Sequence, residues 1–305
     1  MELRHFRYFV AVAEELHFGR AASRLNISQP PLSQQIQALE DELGVRLLER
    51  TKRRVSLTQA GQLFLDQARL ALAQVDRATD VAQRAALGEI GALKVGFTAS
   101  APFTSIIPRS LLAFRRAYPD VRLELQEMNS RGVVEALGND QVEVGVIRPI
   151  ALPGSIVAQP LFSEPLVAVL NAGQALGKEP NVPLALSALA DEAFVFFPRG
   201  FGTGLYDQLM TLAGQAGFSP RISQEVGDSL TIIGLVAAGL GVSVLPASYR
   251  CVAIDNVVYR PLLDQGAETS VLLVRRGGEP SPVVRAFVEI VSEEARQRGD
   301  YVKGP

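Results

Sequence analysis

The chain of 305 residues holds one cysteine, Cys251, and two histidines, His5 and His17. A single thiol excludes an intrachain disulfide and suits a reducing compartment. Both histidines lie near the N-terminus, so everything after them lacks an imidazole. A Ser-His-Asp or Cys-His nucleophile is therefore excluded there, and Cys251 has no local base. No Cys/His cluster has metal-ligand spacing. Gly239-Leu240-Gly241 follows a helical pattern and precedes a strand pattern, the reverse of a dinucleotide fingerprint, and no Walker lysine is present. Excess charge of either sign is also missing: 30 basic and 32 acidic residues leave a net charge of −2. Bulk electrostatics thus do not announce a nucleic-acid binder. The longest apolar stretch, 232–246, is broken by Gly234, Gly239, Gly241 and Ser243 and is too short to span a bilayer. No charged and then apolar leader precedes the first helical pattern, so a cytoplasmic protein is expected.

What the chain does have is concentrated at its start. Residues 16–43 read as two short helices around a tight turn. Ser28 is placed as the N-cap of the second helix, with its hydroxyl expected to satisfy a first-turn N–H. Pro30 and Pro31 follow at first-turn positions, where no intrahelical bond is lost. Leu32, Ile36, Leu39 and Leu43 recur at helical spacing and predict one buried stripe. Gln29, Ser33, Gln34 and Gln37 lie off that stripe with side chains that hydrogen-bond base edges or phosphates. Taken alone, this pattern also fits an ordinary surface helix. Leu3, Phe6, Phe9, Val10, Ala13 and Leu16 predict an amphipathic first helix, and Ala21, Ala22 and Leu25 a small contact face on the middle one. Two short strands are predicted at 45–48 and 55–57, with Arg50, Lys52, Arg53 and Arg54 at the turn between them. That is a wing whose cations would meet a phosphate backbone or minor groove.

From Thr58 to about Leu87 the chain has no proline and one early glycine, Gly61. Phe64, Ala68, Ala71, Val75, Ala78, Ala82 and Ala85 alternate steps of four and three, a coiled-coil seam with mostly alanine knobs. About thirty residues make a helix roughly 45 Å long, suited to pairing two copies; packing on the chain's own C-terminal part is the alternative.

Beyond Gly91 the pattern alternates between strands and helices, predicting α/β sheets. Strands are expected at 93–97, 121–128 and 142–147, with helices near 106–118 and 132–138. A second set follows at 166–170, 194–197 and 222–225, with helices near 205–216 and from Ser229, and a strand at 242–245. A final helix over 282–298 is expected to pack back on the first set. Ligands of such sheets sit beyond strand ends and near helix starts. Ser100, Ala101 and Thr104, then Ser130, Arg148 and the loop bearing Phe201, Gly202 and Thr203 are the candidates. Hydroxyls, amides and an arginine around an apolar wall suit a small carboxylate.

The run RYFVAVAEELHFGRAASRLNISQPPLSQQIQALEDELGVRLLERTKRRVSLTQAG resembles the winged helix of the LysR-type transcriptional regulators, in its AA-RL-SQP-LS-QI-LE-LG spacing and its closing LT-AG. The remainder resembles the family's effector domain, more weakly, within the aromatic-catabolism subgroup. Leu48 stands where the family often has Phe. Gln34 stands where many members carry Arg; Gln favours an adenine edge and Arg a guanine edge. The resemblance implies an N-terminal all-α winged helix-turn-helix over 1–58, a long dimerising linker helix over 59–90, and an α/β effector domain over 91–305. That domain would be two-lobed and periplasmic-binding-protein-like, with lobe I at 91–164 and 269–305 and lobe II at 165–268. It implies effector contacts at Ser100, Ser130 and Thr203, and a regulator, often an activator, that is not an enzyme. Implied partners are double-stranded promoter DNA, a second copy through the linker helix, a tetramer of two such dimers, and RNA polymerase. No cofactor or metal is implied beyond a small effector such as an aromatic acid or its ring-cleavage product. The rival is a solute-binding or enzymatic α/β protein whose N-terminal helices serve only oligomerisation.

Overall fold

A computed structural model describes residues 1–51, 54–179 and 182–297. The chain divides into two compact units, 1–85 and 86–305. The first opens with α1 (Leu3–Glu15), α2 (Phe18–Arg24) and α3 (Gln29–Leu43), continues with β1 (Leu48–Arg50) and β2 (Val55–Leu57), and runs into α4 (Gln59–Ala86). Phe9, Val12, Ala21, Leu32, Ile36, Leu39 and Leu48 form its core, which Leu65 and Ala68 of α4 complete. Phe64 closes it from the same helix, 5.6 Å from the Phe6 ring and 5.1 Å from Phe9.

Several details depart from the sequence pattern for identifiable reasons. Ser28 is the N-cap of α3 in extended conformation, but its hydroxyl makes no cap bond. The N–H groups that a cap side chain reaches are those of the second and third helical residues, here Pro30 and Pro31, which have none. The buried stripe of α3 ends at Leu39 and Glu40, and Leu43 in the last turn is exposed. Leu3 and Leu16, at the two ends of α1, are exposed as well. In α4 the first two seam positions, Phe64 and Ala68, serve the winged-helix core. Ala78, Ala82 and Ala85 are exposed further along, beside exposed Leu63, Leu70 and Val81.

Gly61 and Thr58 explain the LT-AG run. The Thr58 hydroxyl donates to the Arg46 carbonyl and accepts from Gly61 N, which starts α4 against the wing. Gly61 then lies so close to the Leu47 carbonyl that a Cβ would stand 2.9 Å from its carbon and nearer still to its oxygen.

The second unit contains β3 (Gly91–Phe97), α5 (Ile106–Ala117), β4 (Val121–Glu127), α6 (Ser130–Gly138), β5 (Val144–Ile147), β6 (Ile156–Asn171), β7 (Ala193–Phe196), α7 (Gly204–Gln215), β8 (Arg221–Glu225), α8 (Ser229–Ala237), β9 (Ser243–Pro246), β10 (Val257–Pro261), β11 (Glu268–Arg276) and α9 (Pro282–Gln297). Lobe I has β4, β3 and β5 in parallel, with β11 and the first half of β6 added antiparallel. Its helices α5 and α9 share one apolar cluster, with Phe114 edge-on to Phe287. Lobe II hangs β9 and β10 on the second half of β6, with β7 and β8 paired in parallel beside them. A separate cluster, including Phe194, Leu209, Ile232 and Leu245, fills it.

The strand pattern starts β6 at 166, ten residues late, and misses β10 and β11. Pro160 and Pro165 read as breakers, since proline inside a sheet is confined to edges and bulges. The register of β6 shifts between Val271 and Leu272, whose partners are Phe162 and Pro160, so Pro160 sits beside a bulge. β6 therefore passes from one lobe into the other without a break. The predicted end of α9 at Arg298 lies outside the described residues.

Candidate functional site

On the N-terminal unit, Gln29, Pro30, Pro31, Gln34 and Gln37 are exposed and Ser33 is half-buried. Leu32 and Ile36 turn the other way into the core, so the polar residues share the outer face of α3. Gln35 is taken inward instead: its Oε1 lies 3.0 Å from His5 Nε2, while His5 Nδ1 accepts from Glu2 N. His17 caps α2, accepting from Gly19 N and Arg20 N. Both histidines are thus structural.

The wing is a hairpin in which Leu48 pairs with Leu57 and Arg50 with Val55. Arg54 is exposed at its turn, and its backbone is tied to Thr51. Lys52 and Arg53 lie outside the described residues. Arg50 points back into the protein, its Nη2 2.6 Å from Glu40 Oε2 and its guanidinium 5.0 Å over the Phe18 ring.

The second site is a cavity of about 340 Å³ between the lobes, near the lower end for ligand pockets. Lobe I lines it with Thr98 and Ser100 after β3, Met128 and Ser130 at the start of α6, and Arg148 after β5. Lobe II contributes Phe197, Phe201, Thr203, Ser229 and Tyr249. Ser130 is fully buried at the first position of α6, whose N-cap Asn129 accepts from Gly132 N.

Arg148 organises the floor. It is 2% exposed, its Nε donates to Ser100 Oγ at 3.1 Å, and its Nη2 donates to Glu164 Oε1. Its backbone N–H donates to Ser130 Oγ at 3.2 Å. Because both serine oxygens already accept, their O–H protons remain to be donated. The buried Nη1 of Arg148 has no partner. The Thr203 hydroxyl accepts from Leu205 N as the cap of α7, and it too can donate. Glu164 also accepts from Ser248 N, so one carboxylate on β6 holds groups of both lobes.

Phe201 stacks on Phe197 with centroids 5.5 Å apart and planes 8° apart. Burial pushes the Tyr249 hydroxyl up to about 12, against the bond to Ser229 and the nearby Arg148 cation that favour its ionised form. It therefore stays protonated at neutral pH.

Of the expected effector residues, Ser100, Ser130, Arg148, Phe201 and Thr203 meet at this cavity. Ala101, Thr104 and Gly202 do not line it. The Thr104 hydroxyl is spent on the Ala101 carbonyl and on Ile107 N at the start of α5. Gly202 takes a left-handed φ of +83°, and its carbonyl accepts from Arg131 N across the lobes. Glu164, Tyr249 and Ser229 carry no local motif: each is placed by pairing or packing with distant chain. Glu164, the one charged residue of its strand, is the only hint.

Residues 3–62 match the bacterial regulatory helix-turn-helix proteins of the lysR family, and residues 87–296 match the LysR substrate binding domain. The chain belongs to the LysR family. It is 50% identical to the uncharacterised HTH-type transcriptional regulator YnfL of Escherichia coli, over 94% of this chain and 96% of that protein. With BenM of Acinetobacter baylyi it shares 36% identity over 96% of each. Full-length CbnR complexed with its target DNA superposes with a TM-score of 0.83 at 31% identity, covering 97% of this chain and all of that one. The BenM effector binding domain, solved with its effector benzoate, covers 70% of this chain and 96% of that domain at 28% identity and a TM-score of 0.63. This LysR protein is thus a transcriptional regulator with a winged helix-turn-helix and a two-lobed effector domain. The enzymatic alternative falls with that assignment. Among the described residues, no helix is long and apolar enough to cross a membrane, and no cluster of His, Cys, Asp or Glu has the makings of a metal site.

Proposed function

We infer that this LysR regulator is a cytoplasmic DNA-reading oligomer that senses a small carboxylate in its interlobe cleft. Gln29, Ser33, Gln34 and Gln37 face base edges, and the wing cations face phosphates or the minor groove. Exposed Leu63, Leu70 and Val81 with the alanines of α4 suit pairing of two copies, and so a two-fold operator. A tetramer built from two such pairs, acting with RNA polymerase, follows from the family.

The observation that carries the effector reading is the unpartnered, buried Nη1 of Arg148. A buried cation donor left open is costly, and a carboxylate that accepts from it and from the Ser100, Ser130 and Thr203 hydroxyls relieves the cost. Phe197 and Phe201 favour an apolar or aromatic body, in keeping with the benzoate held by BenM. Effector binding then shifts the balance between lobe arrangements by its differential affinity for them. No metal or organic cofactor is assigned a part.

Thermal shift with benzoate, a ring-cleavage dicarboxylate and benzamide tests this. Saturation at 100 Kd stabilises by about 2.7 kcal/mol, so an acid should raise the melting temperature clearly while benzamide does not. Equal shifts from benzoate and benzamide would remove the carboxylate.

A further inference from the structure

Arg50 sits in the basic wing but behaves as a structural group, and its partner explains why. Glu40, on the last turns of α3, is 9% exposed. Its Oε1 accepts from Leu47 N and Leu48 N at 2.9 Å each, while its Oε2 takes the Arg50 guanidinium. Leu47 and Leu48 lead into the wing at the near end of β1, and Arg50 ends the same strand. Phe18, over which the Arg50 guanidinium lies, opens α2. One carboxylate on the reading helix therefore fixes both ends of the first wing strand, and through Arg50 engages the helix before it. The two backbone N–H groups have no apolar substitute, because a buried donor left unpaired is penalised.

We propose that Glu40 and Arg50 are a positioning pair that sets the wing against the reading helix, and that Arg50 is not itself a DNA contact. This rests on the DNA-reading function above. It assigns specificity to a side chain that never meets the duplex. Base readout by Gln34 and phosphate contact by the wing must be satisfied together, and the Glu40 carboxylate fixes the offset between them. A fork-shaped guanidinium is required: one edge pairs with the carboxylate while its face rests on Phe18, which a lysine ammonium cannot reproduce.

The sign of one effect separates the two roles of Arg50. Glu40→Gln removes a negative charge beside the wing. Were Arg50 a phosphate contact, freeing it would tighten binding and steepen the salt dependence. As a positioning pair, its loss should instead weaken promoter binding about ten-fold and lower the salt slope by about one phosphate contact, with binding to a scrambled duplex unchanged. Arg50→Lys should reproduce that loss although the charge is kept.

The measurement is a salt titration of the full chain and both variants against the duplex upstream of its own gene and a scrambled duplex, with melting temperatures recorded alongside. Wild type without preference for the upstream duplex would overturn the DNA-reading function itself. Wild type with that preference, and Glu40→Gln binding as tightly or more tightly, would overturn the pairing alone. Should Glu40→Gln fail to fold, Arg50→Lys decides: wild-type affinity in that variant refutes the proposal.

Discussion

Gly61→Ala sets two general rules against each other. Helix propensity alone favours the change by at most about 1 kcal/mol, the cost of glycine relative to alanine in a helix interior, since Gly61 lies in the first turn of α4. Packing says the reverse. The new Cβ would stand 2.9 Å from the Leu47 carbonyl carbon, with Leu57 Cδ2 at 3.1 Å, where carbon atoms ordinarily rest at about 3.5–4.0 Å. The nearest obstacle is backbone, pinned by Thr58 N donating to the Leu47 carbonyl, so no rotamer change relieves it. Overpacking costs about 1–3 kcal/mol, and a fixed backbone obstacle belongs at the upper end. The difference is a net loss of about 2 kcal/mol. For a unit of 60–100 residues each kcal/mol moves the melting temperature by about 4–8 °C, so a fall of about 8–16 °C is expected in the transition of the N-terminal unit. Calorimetry of the full chain reads it. Gly214→Ala, at a helical glycine of the second unit with nothing within 4 Å of the new atom, is the control and should leave the transition of the N-terminal unit where wild type has it. A Gly61→Ala protein that melts as late as this control would refute the argument from close approach.

Ser28→Ala should shift the melting temperature by no more than about 1–2 °C, against the roughly 1 kcal/mol of an ordinary cap, because Pro30 and Pro31 give its hydroxyl nothing to accept. Thermal unfolding reads this, and a full cap's loss would contradict it. The Glu14 carboxyl is held below its ordinary value of 4.5 by hydrogen bonds from Arg69 and then Arg24, which tie α4 and α2 to α1. A depressed folded value stabilises above 4.5 and is lost as pH falls through it; urea midpoints measured from pH about 6 down to 3 should therefore drop more steeply in wild type than in Glu14→Gln. Gly204 opens α7 against the Pro149 carbonyl of the facing lobe, whose carbon would lie 3.0 Å from an added Cβ. Gly204→Ala should wedge the lobes and weaken carboxylate binding about ten-fold, or 1.4 kcal/mol, in calorimetric titration; unchanged affinity would show that this contact does not set lobe spacing.

Local rules made the reading head legible. The stripe Leu32-Ile36-Leu39, the proline pair and the early glycine of α4 each act within a few turns, and periodicity exposes them. The same rules misjudged Ser28 and Leu43, where a cap lost its donors and a stripe outran its core. The cleft was half legible: serines and an arginine at strand ends and helix starts follow from topology. Glu164, Tyr249 and Ser229 do not, because what brings them together is pairing between β6, β9 and β11 and the passage of β6 through two lobes. Two prolines, one of them beside a bulge, disguised that strand. Glu40 stayed hidden for a different reason, since an acid near the end of a helix reads as solvated surface until the backbone it holds is seen.

Ser163 and Ser270 share a hydrogen bond across 107 residues, and the sheet of lobe I is unfinished until β11 has been made. The contacts of the N-terminal unit lie within the first 85 residues. During synthesis the reading head can therefore fold while the sensor is still an open chain, as local contacts form before distant ones. Given the α4 pairing proposed above, a message cut short within lobe II yields a reader without a completed sensor that pairs with intact copies and occupies the same operators. Nonsense alleles there are expected to be dominant over the wild-type gene, whereas those within the wing should be recessive.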